Sequence, residues 1–270
     1  MSNNNGSSQS LTQKIDECVS KHKVTDQFIS TMRTAFAATK QVLKTRKKNL
    51  EAWTNDDQND FEEIFGLKGK TSIIIDYYTP GQRVDGEGKI IPSHKETTAY
   101  EFIKSGVDRM IFICDSLNVG PRQNKNNQII CGNFANLTVA GPKGAARIPP
   151  LQTTHIDLKH NDYKNNSPEN TLRLEYQKRI TVDILQRFIH QDITGEDSQA
   201  STLCHELSHL LLIWDGERYY GGLSSNDLGE GNEVANARDL RDKLDPKVFK
   251  NAYNIEKYFE IVIPSNKISD

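Results

Sequence analysis

Residues 203–214 read Leu203-Cys204-His205-Glu206-Leu207-Ser208-His209-Leu210-Leu211-Leu212-Ile213-Trp214, with two histidines four positions apart inside an apolar run. Leu203, Leu207, Leu210, Leu211 and Ile213 recur at helical spacing, so the stretch from Asp197 to Trp214 is expected to form a helix. Histidines at i and i+4 share one helix face, where both imidazoles reach a single Zn²⁺ at about 2.0–2.1 Å. Glu206 follows the first histidine and projects beside such a metal, placed to take a proton from a water that attacks a carbonyl. A catalytic zinc takes three protein ligands and leaves one position open, so a third donor must return to the helix from elsewhere.

No histidine follows His209, and the carboxylates that come next are Asp215, Glu217, Asp227, Glu230 and Glu233. The run Gly221-Gly222-Leu223-Ser224-Ser225-Asn226 is a flexible loop suited to folding back over the helix, which favours the last three. Glu233 resembles the helical glutamate ligand of thermolysin-like zinc peptidases, and the residues alone leave the choice among Asp227, Glu230 and Glu233 nearly even. Cys204, between Leu203 and the first histidine, reads as a small buried apolar residue.

Working outward, Asn232 to Leu244 is helical, and Asp245-Pro246 opens a final helix with Val248, Ala252, Ile255 and Phe259 on one stripe. Upstream, Phe28, Ile29, Met32, Ala35, Phe36, Val42 and Leu43 predict a long amphipathic helix from Thr25, its cap, to about Leu50. A shorter helix runs through Phe61 to Phe65 and stops at Gly66. Ile73 to Ile75 and Met110 to Ile113 read as buried strands, with Thr79 to Ser93 as a hairpin or exposed loop carrying Pro80-Gly81 and Asp85-Gly86. Gln128 to Cys131 is expected to pair with Met110 to Cys114, Gly141 to Pro168 to be irregular, and Leu172 to Ile189 to be helical. The basic run Lys40 to Lys48 is read as the solvated face of the long helix, and His155 and His160 as solvent-facing loop residues.

The chain has 270 residues, 36% hydrophobic and 26% charged, with a mean hydropathy of -0.65. No apolar run approaches the roughly 18 residues of a membrane span, so membrane insertion is not expected. A net charge of -2 gives no electrostatic footprint for nucleic acid or an anionic membrane. Residues 1–20 open on a low-complexity polar stretch and are expected to be a mobile tail, with one domain over 21–270 and an insertion at about 140–194. The opening lacks the basic and apolar regions of a secretory signal. Four cysteines without CxxC spacing do not make a zinc cluster.

The segment Asp197-Ser198-Gln199-Ala200-Ser201-Thr202-Leu203-Cys204-His205-Glu206-Leu207-Ser208-His209 resembles the motif helix of the aspzincins, the deuterolysin and peptidyl-Lys metalloendopeptidase family. The loop Gly222 to Gly231 is similar to that family's third-ligand loop and puts Asp227 at the ligand position. Asn251-Ala252-Tyr253-Asn254-Ile255-Glu256-Lys257-Tyr258-Phe259-Glu260 resembles a third family segment. Looser similarity upstream includes Trp53, Phe65-Gly66 and the pair Cys114 and Cys131, which falls where family members carry a disulfide. The likeness spans most of residues 25 to 262 and is specific only after Asp197.

This resemblance implies an α+β, zincin-like metallopeptidase domain with N-terminal helices, a small mostly antiparallel sheet and a helical C-terminal part. It implies one catalytic Zn²⁺ on His205, His209 and Asp227, with Glu206 as general base, acting on a protein or peptide substrate as an endopeptidase. A thermolysin-like site with Glu233 or Glu230 as third ligand and a non-catalytic zinc-binding module are the rivals. The family's loop tyrosine, assigned to the oxyanion, is replaced here by Glu230, leaving Tyr219 or Tyr220 as candidate substitutes. The two carboxylates that hold a P1′ lysine in lysine-specific members correspond to Tyr253 and Glu256, which weakens the implied lysine preference. The span between Cys131 and Asp197 exceeds the family's connection and is expected to be a lid, a substrate-selecting arm or an inhibitory segment. With most members secreted, the expectation is a toxin or effector delivered without a cleavable signal, and otherwise a cytoplasmic protein; any inhibitor or immunity partner is unknown.

Overall fold

The computed structural model describes residues 10–79, 91–123, 129–138, 144–148 and 168–268. The expected turns within 80–90, the connection 124–128, and His155 and His160 lie outside the described residues. The architecture is α+β: long helices form the frame, and short strands pair in small separate sheets.

Helix α1 (Leu11–His22) starts at Ser10, whose hydroxyl accepts from the Gln13 amide while the Gln13 side chain accepts from the Ser10 amide. Residues 11–20, assigned from composition to a tail, therefore belong to a helix, and Cys18 on it is bonded to Cys131. The pairing expected for Cys131 with Cys114 is thus corrected: Cys114 is buried and free at the end of a helix. Helix α2 (Asp26–Ala52) begins at Thr25 as the sequence indicates and buries Phe28, Met32, Ala35, Phe36, Val42 and Leu43. Arg46 departs from the solvated face: it is buried, bonds Asp60 and the Tyr258 carbonyl, and stacks 4.1 Å from the Tyr258 ring. Helix α3 (Asn55–Phe65) ends at Gly66, whose φ of 71° and close approach to the Arg241 carbonyl require glycine.

Strands β1 (Ser72–Tyr77) and β2 (Ser93–Thr98) pair antiparallel, with Ile73 and Ile75 buried and Ile74 facing solvent. Helix α4 (Ala99–Cys114) follows from its cap Thr98 and contains the run Met110 to Ile113, which the sequence presents as a strand. Phe102, Ile103, Val107, Met110 and Ile113 are all buried at helical spacing, so the apolar run is the end of an amphipathic stripe. Strand β3 (Arg122–Gln123) pairs antiparallel with β4 (Ile129–Ile130), in place of the pairing expected with Met110 to Cys114.

Strands β5 (Phe134–Asn136) and β6 (Ala146–Arg147) flank β7 (Val182–Ile184), parallel on one side and antiparallel on the other. Helix α5 (Pro168–Arg179) precedes β7, so the helix expected up to Ile189 gives way to a strand after Arg179. The described part of the insertion is core material: Leu172, Tyr176, Ile180, Val182, Ile184 and Phe188 are buried. Helix α6 (Gln199–Ser208), the motif helix, is shorter than its apolar pattern; β8 (Leu212–Trp214) takes over and pairs with β9 (Tyr219–Gly221). Helix α7 (Glu233–Asp242), a 3₁₀ turn at Pro246–Lys250 and helix α8 (Ala252–Phe259) complete the C-terminal part, with Asn251 interrupting the single helix expected from Asp245. Helix α6 packs against α2, α4 and α8, which fixes the motif face from three sides.

Candidate metal centre

The motif helix is held at both ends. Ser198 caps it by accepting from the Ser201 amide, while the carbonyl of Ser208 at its end accepts from the amides of Leu223 and Ser225. The amides of Gly222 and Ser224 bond the Leu210 carbonyl, so the loop 222–225 lies directly against the helix terminus. A Cβ on Gly222 would stand 2.5 Å from the carbonyls of Leu207 and Leu210, which is why the approach needs glycine. This docking delivers Asp227 to the histidines.

Asp227 Oδ1 lies 3.0 Å from His205 Nε2 and 3.7 Å from His209 Nε2, so three donor atoms converge on one point. The opposite ring nitrogens are anchored. His205 Nδ1 is 2.9 Å from Glu256 Oε2, and His209 Nδ1 is 3.0 Å from the Ser225 carbonyl. Each Nε2 is thereby turned toward Asp227, the arrangement in which outer hydrogen bonds set the tautomer of ligating imidazoles. Glu206 is buried beside them, and donor atoms of His205, Glu206 and His209 lie within 4.8 Å of one another. Its Oε2 accepts a 2.7 Å hydrogen bond from the Ile148 amide, just past edge strand β6.

The electrostatics match a cation site. Burial opposes charge on His205, but the Asp227 and Glu256 carboxylates outweigh it and lift its pKa to about 10. Burial raises Glu206 to about 7, against the pull of His205 and the Ile148 amide. His209 is lowered by burial and by His205, and Asp227 is lowered despite its burial because both histidines face it. An environment that favours positive charge between paired imidazoles and carboxylates, with nitrogen and oxygen donors converging, fits Zn²⁺.

The other candidates lie elsewhere. Glu233 spends its Oε1 on the Gly231 amide at 2.7 Å, and Glu230 is exposed. Tyr219 and Tyr220 sit on β9 and line a separate cavity of about 180 Å³ with Arg109 and Tyr176. Asp215 accepts from the amides of Glu217 and Arg218 in the β8–β9 turn. Tyr253 stands edge-on to His205, with ring centroids 4.9 Å apart. Together with His205, Glu206, Asp227 and Glu256 it lines a cavity of about 510 Å³. The anchoring residue Ser225 carries no signal in the sequence because it acts through its backbone, whereas Glu256 was legible as a site residue but not as the partner of His205.

No protein-family model matches the chain, and no curated protein matches it. Among solved structures, a zinc peptidase from Grifola frondosa aligns with 88% of this chain and 96% of its own at 18% identity, with a TM-score of 0.42. Among the described residues, no helix is long and apolar enough to cross a membrane.

Proposed function

We propose that the protein is a zinc-dependent endopeptidase in which His205, His209 and Asp227 hold the metal and Glu206 is the general base. The observation that carries this reading is the convergence of both Nε2 atoms on Asp227 Oδ1, with the buried Glu206 carboxylate alongside in the same cavity. Zinc bound there supplies Lewis acidity and lowers the pKa of water toward neutrality. Glu206, buried beside the histidines with its Oε2 held by the Ile148 amide, is placed to accept a proton from the attacking water and return it to the departing amine nitrogen. Glu256 and the Ser225 carbonyl keep the two imidazoles oriented through the cycle.

The substrate is a protein or peptide chain lying in the cavity. Any preference for lysine at P1′ rests on Glu256, whose Oε2 is already engaged by His205, so the discrimination is modest. The Cys18–Cys131 bond supports an oxidising destination such as that of a secreted toxin or effector.

The test combines metal analysis with mapping of cleavage sites in a diverse peptide library, using Glu206→Ala as the blank. One zinc per chain and cuts made only by the unaltered protein are expected. Zinc retained in Asp227→Ala but lost in Glu233→Ala would select the thermolysin-like ligand set. Zinc bound with no cuts above the blank would select a binding module.

A further inference from the structure

We propose that Tyr253 is a catalytic residue, its phenol donating the hydrogen bond that stabilises the oxyanion formed when the substrate carbonyl is attacked. This rests on the peptidase reading and deepens it. Acyl transfer concentrates negative charge on the carbonyl oxygen, and a preorganised donor facing that oxygen is commonly the largest single protein contribution to the rate. The site must therefore present a donor beside the histidines.

The described residues narrow the choice. Glu230 is exposed and, once ionised, can only accept. Tyr219 and Tyr220 open into the separate cavity beside Arg109. Of the cations around the metal cavity, Arg187 is paired with Asp197, Lys257 with Glu196 and Glu260, and Arg241 with Asp242. Arg238 lies on the exposed face of α7, and no contact ties it to His205, His209 or Asp227 among the described residues.

Tyr253 meets the requirement by position. Helix α8 presents Glu256 and Tyr253, three residues apart and so on one face, to the same imidazole. Glu256 bonds Nδ1, and the tyrosine ring stands at 87° to the His205 ring. The phenol ring is half-buried in the wall of the cavity that holds Glu206 and Asp227, and among the described residues no hydrogen bond engages its hydroxyl. One helix thus aims the ligand and carries the donor, fixing the distance between metal and oxyanion by a rigid element.

The experiment is Tyr253→Phe in the zinc-loaded protein, which keeps the ring and its packing and removes only the hydroxyl. The expected result is a fall in kcat of about 10²-fold or more, with KM within about twofold and zinc stoichiometry unchanged. A second readout needs no turnover. In the Glu206→Ala background, Tyr253→Phe should weaken calorimetric binding of a phosphinic peptide, a tetrahedral analogue, by a similar factor while leaving the corresponding ordinary peptide unaffected. Wild-type cleavage with an equally fast Tyr253→Phe variant overturns the assignment and leaves the peptidase reading intact. A wild-type protein that binds zinc and cleaves nothing overturns both.

Discussion

Glu256 shows how much a single carboxylate settles. Its bond to His205 Nδ1 fixes which nitrogen faces Asp227, so a change that keeps its size but removes the charge acts on the metal first. Glu256→Gln is expected to weaken zinc binding by about 10- to 100-fold, measured by competition with a chromophoric chelator, with thermal stability nearly unchanged. His22 makes a prediction about the fold alone. It is buried on α1, its Nδ1 has no hydrogen-bond partner among the described residues, and burial, helped by Lys21, lowers its pKa below 6.5. The unfolded chain therefore takes up the proton first as pH falls. Stability is full above about pH 6.5 and declines below it, and His22→Leu should remove that part of the slope in denaturant titrations at pH 7 and pH 5. The ligand pair and the base were readable because the i, i+4 rule is local to one helix. The anchoring of the rings was not, because Ser225 and Glu256 reach them only through tertiary folding.

At the scale of elements, the end of α6 matters more than its length. The helix stops at Ser208, and its terminal carbonyl is satisfied by the loop that leads to Asp227. Gly221 opens that loop with φ 88°, and a Cβ there would sit 1.8 Å from the Leu211 carbonyl. Gly221→Ala should cost about 2 kcal/mol or more in chemical denaturation and reduce zinc stoichiometry in the fraction that folds, since the loop cannot dock unstrained. Helix caps were the readable part of the fold: Thr25 and Gly66 mark boundaries through local hydrogen bonds and backbone freedom. The run Met110 to Ile113 misleads because four apolar residues in a row suit a buried strand or the last turn of a buried helix equally, and only its packing on α2 decides. The β8 strand within the apolar stretch after His209 is hidden for the same reason.

For the whole molecule, the disulfide is the long-range constraint. Cys18 and Cys131 are 113 residues apart, and spacing alone cannot say which of four cysteines meet, because partners are set by how α1 lies against β4 and β5. Replacing both with serine should lower stability by about 2–5 kcal/mol, read as a drop in Tm. The ring it closes contains the end of α1, then α2, α3, β1, β2, α4, β3 and β4. Every proposed metal ligand and catalytic residue lies after Cys131, packed on that ring from outside. Reductant and chelator should therefore act separately: the first lowers the melting temperature, and the second abolishes cleavage without releasing α1. Chain order gives the ring a further property, one of timing. Both cysteines emerge before the first histidine ligand, so where the growing chain meets an oxidising compartment the bond can close before any ligating or catalytic residue has been made.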